Sequence, residues 1–357
     1  MTSTTSPRPS GLTQFIKSNR GILISIVGLI LLPFILTLVD GQSISSMLAN
    51  ESGQSKFYQG LAIEIFILAI YALSYDLLFG ITGLLSFGHA MFYGVGAYLT
   101  GIMLKSFGWG LLPIIGLVTV AGVVMALIFS IVLPRVKGIT FALVTLGIAQ
   151  VFYIVIQSRE LVDFAGAEIG LQGVTPPEFL NPVEQRLRFY FVGLAILFVV
   201  YFIYKRFVDS PTGRVCIAIR ENEDRATMLG FNTFYFKLAA LTLSSVTAAL
   251  AGAMHGLFHP IIRPGIASSH YTIAALLMIL IGGIGTLNGA ILGAATFRLL
   301  SFYLEKLFGG TSQVIIGIVY ILLVLFLPYG IVGTWKLRGY KVKQGWKDLV
   351  NAIKSNS

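Results

Sequence analysis

Long apolar runs separated by short polar segments make up this chain from Gly21 to Thr334. The first run is uncharged over residues 21–39, which at about 1.5 Å of rise per residue spans roughly 28 Å, the thickness of a bilayer core. Because the lipid interior forces the backbone to satisfy its own hydrogen bonds, and long alternating strands are absent, such runs are predicted to be α-helices. Repeating the count predicts about ten transmembrane helices, at residues 21–39, 60–79, 81–104, 109–133, 138–157, 189–204, 237–258, 271–287, 288–305 and 312–333.

Composition supports an all-α polytopic membrane protein. Of 357 residues, 56% are hydrophobic and 11% are charged, with a mean hydropathy of +0.85, whereas a soluble domain carries about 25% charged residues. Residues 1–20 are rich in Ser, Thr and Pro, which predicts a disordered cytoplasmic tail. Residues 335–357 are predicted to be a basic cytoplasmic tail, and residues 21–334 form the transmembrane domain. A single cysteine, Cys216, excludes an intramolecular disulfide.

The basic residues are divided unevenly between the two sides of this predicted topology. With the N-terminus inside, 17 of the 25 Lys and Arg residues lie on the cytoplasmic side and 7 lie outside. Such a bias places both termini in the cytoplasm. It also explains the net charge of +10 by contact with anionic membrane lipids, so no nucleic-acid partner is expected.

The sizeable cytoplasmic connection at residues 205–236 carries the most specific pattern in the chain. Asn222 is placed to cap a helix, two acidic residues follow it at the positive helix end, and Gly230 can terminate the helix in a left-handed conformation. We expect a two-turn helix over Glu223–Leu229. It is either a solvated connector on the membrane surface or a docking helix that enters a groove of a cytosolic partner.

The faces of this short helix suit the docking interpretation. Ala226 and Gly230 form a small-residue face that a partner could approach closely. Glu221 and Arg225 are spaced i,i+4 and are expected to pair at its polar rim.

Three segments carry a characteristic arrangement of glycine and polar residues. They are GRVCIAIRENEDRATMLGFNTFYFKLAA in the connection, GITGLLSFGHAMFYGVGAYLTG at 80–101 and ILIGGIGTLNGAILGA at 279–294. Together they resemble the membrane permease of branched-chain amino acid ATP-binding-cassette importers, over about residues 60–333. In that family the cytoplasmic loop couples the membrane part to the ATPase. The resemblance implies that the coupling residues are Arg220, Glu221, Asp224, Arg225, Ala226 and Gly230.

This segment departs in part from the importers' Glu-Ala-Ala-xxx-Gly pattern. Ala226 and Gly230 fit it, but Asp224 and Arg225 stand where the pattern has Glu and Ala, and the downstream Leu-Pro is absent.

The resemblance also implies the partners. The chain has no GxxxxGK[ST] sequence, so ATP would be hydrolysed by two separate ATP-binding subunits, and this chain would bind no cofactor. A second homologous permease, an extracytoplasmic solute-binding protein and the inner membrane complete the expected setting. The substrate would be a branched-chain or other apolar amino acid. A urea or short-amide importer permease and, from a different class, an ion-coupled secondary transporter stay open as alternatives.

Neither catalysis nor metal binding is indicated. No GxSxG elbow occurs, so an enzyme is not expected. His255 and His259 are spaced i,i+4, but no carboxylate accompanies them as a further ligand, so a zinc site is not expected.

Glycines in two of the spans predict broken helices. Free backbone groups at such breaks can line a midplane transport site, and packing between helices is the alternative reading of each glycine. His89 beside the first break is either a satisfied core histidine or part of the pathway. The candidate pathway residues are Ser86, Gly88, His89, Gly283 and Gly285.

Ionisable residues within the spans are costly in lipid and therefore informative. Glu64 and Asp76 lie twelve residues apart in one span, too far to form a paired acid-base site, and each is expected to be structural or to pair with another helix. Arg298 is expected to face a subunit interface or to pair with Glu305.

Overall fold

The computed structural model describes residues 20–41, 43, 45, 53–327 and 329–335. Most of these residues are α-helical, as predicted. The helices are α1 (Arg20–Val39), α2 (Gln54–Tyr75), α3 (His89–Phe107), α4 (Leu111–Ser130), α5 (Ile139–Ile156), α6 (Val162–Ala165), α7 (Arg186–Asp209), α8 (Pro211–Glu221), α9 (Glu223–Met228), α10 (Thr233–Phe258), α11 (Ser269–Gly282), α12 (Leu287–Phe308) and α13 (Ser312–Phe326). The two predicted tails lie outside the described residues, apart from Arg20 and Trp335 at their edges.

Six helical segments of the described chain are long and apolar enough to cross a membrane. They are Gln54–Ile81, Leu111–Ser130, Ile139–Ile156, Arg186–Asp209, Thr233–Phe258 and Leu287–Trp335, the last of which contains both α12 and α13. Ser25–Val39 and Ser269–Gly282 are shorter apolar helices. The helical, polytopic architecture is thus confirmed, and the count of ten spans stays a prediction.

The first glycine segment interrupts the helical path between α2 and α3. After α2 the chain continues as a π-helix over Asp76–Ile81, leaves helical geometry, and becomes helical again at His89. The predicted start of a span at residue 81 is therefore wrong. Gly83 lies within the break with a φ of +80°, a left-handed conformation that an α-helix does not contain.

The second glycine segment separates α11 from α12. Helix α11 ends at Gly282 and α12 begins at Leu287. The boundary predicted between residues 287 and 288 is therefore wrong, because Gly283 and Gly285 have φ values of +121° and +73°. Residues 283–286 make the connection.

Helix α10 packs against α2, α3 and α4. Small residues bring these backbones close together: a Cβ at Gly256 would lie 2.9 Å from the carbonyl oxygen of Ala97. A Cβ at Gly94 would likewise lie 2.6 Å from the Cβ of Ala267, in the turn before α11. In lipid, such close contact between small residues is a main source of helix association.

The connection between α5 and α7 is ordered rather than open. It contains α6 and a two-residue strand β1 (Leu171–Gln172), which pairs antiparallel with β2 (Ile261–Ile262) between α10 and α11. The paired residues Leu171 and Ile262 are both fully buried. The pairing ties this connection to the chain segment that enters α11.

Large apolar side chains cover the outward surfaces of α4, α5 and α13. Leu112 is 83% exposed, Val151 63% and Phe326 78%. A monomer in water would not keep such contiguous surfaces open. They are suited to lipid tails or to another membrane subunit.

Candidate functional site

The two helix breaks meet at Asp76. This residue is fully buried at the start of the π-helix, and its Oδ1 accepts a hydrogen bond of 2.7 Å from the backbone N–H of Gly285. The backbones approach closely there, since a Cβ at Gly285 would lie 2.8 Å from the carbonyl oxygen of Gly80. A single carboxylate thus links the end of the first broken helix to the second break.

Arg220 joins the same cluster from the predicted coupling segment, residues 205–236. Its Nη1 donates a hydrogen bond to the carbonyl oxygen of Gly80. Its backbone packs on the first break, where a Cβ at Gly83 would lie 3.0 Å from the Cα of Arg220. A Cβ at Gly285 would lie 2.7 Å from Nη1 of the same arginine. One side chain of α8 therefore contacts both breaks.

The coupling segment contains the predicted short helix, α9, and a further helix, α8, that was not predicted. The Oδ1 of Asn222 accepts a 2.9 Å hydrogen bond from the backbone N–H of Arg225, which is an N-cap. Gly230 has a φ of +88°, and the N–H of Phe231 donates to the carbonyl of Ala226, so the chain turns out of the helix there. Helix α9 ends one residue earlier than predicted, at Met228.

Two ion pairs hold α9 against the rest of the chain. Glu223 pairs with Lys237 at the start of α10, and the lysine side chain is only 6% exposed. Asp224 pairs with Lys137, between α4 and α5, at 2.9 Å. The hydrogen bond to Asp224 raises the pKa of Lys137.

The ion pair predicted between Glu221 and Arg225 does not form. Glu221 instead lies 4.0 Å from Arg220, its neighbour in the chain. Helix α8 ends at Glu221 and α9 begins two residues later, so the i,i+4 geometry of one continuous helix is lost.

The predicted docking face of α9 is also wrong in one respect. Ala226 is only 2% exposed and faces the body of its own chain, whereas Met228 is 86% exposed and Leu229 72%. The small residue lets α9 lie close to the membrane part, and the apolar knobs are left free. The surface open to a partner therefore includes Met228, Leu229 and Gly230 but not Ala226.

The other candidate pathway residues lie inside the helix bundle. His89 is fully buried at the start of α3, and its Nε2 is 2.8 Å from the hydroxyl of Ser74. Ser86 is also fully buried, and a Cβ at Gly88 would overlap the backbone carbonyl of Thr145. Ser86 and His89, the two polar side chains among these residues, are therefore enclosed in this conformation. Their role in the pathway stays a prediction.

A separate cavity of about 460 Å³ lies between α2, α3, α10, α11, α12 and α13. Three charged residues line it, Glu64 on α2 and Arg298 and Glu305 on α12, and Nε of Arg298 donates a hydrogen bond to Oε2 of Glu64. The expectation that Glu64 pairs with another helix is confirmed. The expected pairing of Arg298 with Glu305 is wrong, because the guanidinium group of Arg298 is hydrogen-bonded to Glu64 instead.

The polar wall of this cavity continues with aromatic and imidazole groups. The rings of Tyr93 and Tyr271 are 5.0 Å apart, and those of His255 and His259 are 4.1 Å apart. No cluster of three metal-ligating side chains occurs within the described ranges. The sequence alone does not assign the residues of this wall to the pathway. The signal that could have located the cavity is the pair of opposite charges, Glu64 and Arg298, within predicted spans.

Comparison with known proteins places this geometry in context. The family model described as "Branched-chain amino acid transport system / permease component" matches residues 57–326. The high-affinity branched-chain amino acid permease protein LivM of Salmonella typhimurium is 24% identical over 298 residues, covering 76% of this chain and 69% of its own.

Two further relatives align with this chain over most of their own length. The corresponding BraD protein of Pseudomonas aeruginosa is 25% identical over 280 residues, which cover 74% of this chain and 91% of BraD. The LivH permease protein of Escherichia coli is 26% identical over 290 residues, with the same two coverages. No solved structure matches the chain significantly.

Proposed function

The chain belongs to the branched-chain amino acid transport permease family, and from this premise we propose that it is a permease subunit of an ATP-binding-cassette importer. It forms half of the translocation pathway for branched-chain or other apolar amino acids. The names of its relatives, which are branched-chain amino acid permease proteins, support the substrate class. The polytopic helical fold supports a transport role rather than an enzymatic one.

The complete importer contains further subunits. Two ATP-binding subunits hydrolyse ATP, a second homologous permease supplies the other half of the pathway, and an extracytoplasmic solute-binding protein delivers the amino acid. Relatives of both the LivM and the LivH type match this chain, which supports pairing between two homologous permeases. ATP is used by the partner subunits, and this chain needs no cofactor of its own.

The hydrogen bond from Arg220 to Gly80 links the coupling segment to the first helix break. When the ATPase displaces α8 and α9, Arg220 moves with them. Its hydrogen bond then pulls the carbonyl of Gly80, near the end of the π-helix. The bond from Gly285 to Asp76 passes the displacement to the second break. Short π-helical stretches are common at functional sites, where a helix must adjust.

The orientation follows from this coupling. The segment at residues 205–236 faces the cytoplasm, both termini lie on that side, and the chain crosses the inner membrane about ten times. The exposed apolar surfaces of α4, α5 and α13 contact membrane lipids and the second permease.

The alternatives differ in what drives transport and in what is carried. An ion-coupled secondary transporter would need no ATPase and no exposed coupling helix. A urea or short-amide permease would share the ATPase but carry a solute without an aliphatic side chain. The ordered coupling segment favours an importer, and the substrate names of the relatives favour an amino acid.

Purification of the complex from its native membrane tests this proposal. We expect an ATPase to co-purify, and the complex in proteoliposomes to take up L-leucine only with ATP and the solute-binding protein. A chain that purifies without an ATPase and takes up leucine along an imposed ion gradient would overturn the importer proposal. Uptake of urea but not leucine would overturn the substrate class alone.

A further inference from the structure

The cavity beside Glu64 and Arg298 has no part in the coupling contacts, and its chemistry points to a ligand. We propose that it is a binding site, within the membrane part of this subunit, for the charged head group of an α-amino acid. The inference rests on the proposed function and deepens it, because it assigns substrate contact to residues of this chain.

The ion pair provides one group for each charge of an α-amino acid. The side chains of Arg298 and Glu64 are 24% and 22% exposed and both line the cavity, so each charge is reachable from inside it. A guanidinium binds a carboxylate through two parallel hydrogen bonds, and a carboxylate accepts from an ammonium group. The ligand would insert between the two side chains and leave both charges compensated.

A purely stabilising role explains this pair poorly. Replacing a buried ion pair by well-packed apolar residues is often neutral or stabilising, because desolvation offsets the attraction. Ionisable groups within membrane spans are rare and mark substrate or ion pathways. A pair that lines an open space inside a transport subunit is therefore more readily explained by a ligand.

The aromatic wall next to the ion pair is suited to the ammonium end. Tyr93 and Tyr271 line the same cavity as Glu64, and tyrosine rings attract cations. His255 and His259 add ring nitrogens to the same wall. Together these groups surround a small zwitterion with donors and acceptors.

Most of the remaining wall is apolar and fits an aliphatic side chain. Its apolar residues are Ile67, Leu68, Ala274, Met278, Phe297 and Ile316, and Ser301 and Glu305 complete the lining. The volume of about 460 Å³ falls within the range of about 300–1,000 Å³ typical of small-ligand pockets. An apolar region beside a pair of opposite charges favours a branched-chain amino acid over urea, which has neither a net-charged group nor an aliphatic chain.

Protection of an engineered thiol tests the site directly. We would introduce Ala274→Cys with Cys216→Ser, assemble the complete importer in proteoliposomes, and measure N-ethylmaleimide labelling without ATP. L-Leucine at ten times its Kd should slow labelling of this thiol about tenfold, in proportion to occupancy. Isocaproate, which lacks the ammonium group, and isoamylamine, which lacks the carboxylate, should not. Glu178→Cys, exposed in the connection before α7, is the matched control, whose labelling leucine should not change.

Charge removal separates a ligand site from a structural pair. Glu64→Gln and Arg298→Gln should each abolish protection by leucine. If either single variant fails to assemble, the double variant removes both members of the ion pair and should assemble while still lacking protection. Protection that persists in the assembled double variant, or that isocaproate and isoamylamine give equally, would overturn the proposal.

The two proposals can fail separately. ATP-driven leucine uptake without any protection of Ala274→Cys would remove the binding site and leave the importer. Protection in a complex that takes up leucine without ATP would remove the importer and leave the binding site.

Discussion

At the scale of single residues, two side chains hold the helix breaks together. Asp76 accepts from the backbone of Gly285, and Arg220 donates to the backbone of Gly80. Backbone groups freed by a helix break must find partners when they are removed from water. Each of these side chains supplies one, so a change at either alters the geometry of the breaks.

Removal of the Arg220 side chain should uncouple ATP hydrolysis from transport. A hydrogen bond to a charged group contributes about 1.5–3 kcal/mol, so Arg220→Ala should lower leucine-stimulated ATP hydrolysis roughly tenfold or more. Arg220→Lys keeps a charged donor, so its leucine-stimulated ATP hydrolysis should lie between that of the wild type and that of Arg220→Ala. Arg214→Ala removes an exposed arginine from the same helix and is the control. Wild-type uptake by Arg220→Ala would contradict a coupling role.

The native thiol should be unreactive in the folded protein. Cys216 is fully buried in α8, and burial raises its pKa to about 11. Because only the thiolate reacts, labelling by N-ethylmaleimide at pH 8 should be more than about 100-fold slower than for a thiol of pKa about 8.5 in the unfolded chain. The native rate should increase about tenfold per pH unit up to about pH 10. Thr227→Cys with Cys216→Ser places an exposed thiol on α9 and should label at the unfolded rate.

At the scale of elements, α9 has two different faces. Ala226 lies against the membrane part, and ion pairs from Glu223 and Asp224 hold the helix in place. Met228 and Leu229 are left exposed. A helix of only two turns is not stable by itself, so its conformation depends on these anchors.

Charges on the exposed face of α9 should block contact with the ATPase. Met228→Asp and Leu229→Asp place a carboxylate where an apolar interface core is expected, which can cost about 2 kcal/mol or more in binding. Both should lower co-purification of the ATPase and leucine uptake while the membrane part stays folded. Thr227→Ser, which keeps the hydroxyl that donates to the carbonyl of Glu223, is the control.

The buried face should respond differently. Ala226→Arg would push a charged side chain into the chain's own packing, so we expect lower thermal stability of the purified subunit as well as lost uptake. An Ala226→Arg subunit that keeps its full thermal stability would show that α9 does not rest on the membrane part.

At the scale of the whole molecule, the contacts between connections bear on how the chain is oriented in the membrane. The coupling segment and the Lys137 connection lie together, as the ion pair between Lys137 and Asp224 requires. The strand pair β1 and β2 joins two connections that the predicted topology places outside or near the outer ends of spans. The contacts are compatible with one orientation of the chain in the membrane.

Cysteine accessibility checks that orientation. With Cys216→Ser as background, Ser357→Cys should resist a membrane-impermeant thiol reagent in intact cells, and Glu178→Cys should react. Glu178 is chosen because it is exposed and not in a left-handed conformation, unlike Gly173, whose φ is +73°. Labelling of the Ser357→Cys tail from outside would reverse the proposed topology.

Much of the fold follows from short-range patterns. Apolar runs identify α2, α4, α5, α7 and α10 because lipid requires long helices whose backbone bonds are internal. Capping explains why α9 was located to within one residue, since Asn222 and Gly230 act on groups only a few residues away. The helix boundaries at the two glycine segments were less accurate, because apolar residues continue through both breaks.

The class of the molecule, the existence of the breaks and the position of α9 can all be predicted from the sequence, because each depends on neighbouring residues. Which distant groups meet can be seen only in the folded chain. Nothing local to Arg298 distinguishes Glu64, 234 residues away, from Glu305 as its partner. The burial of Ala226 and the bond between Arg220 and Gly80 also depend on how helices pack, because a side chain's partners are set by the approach of elements remote in sequence.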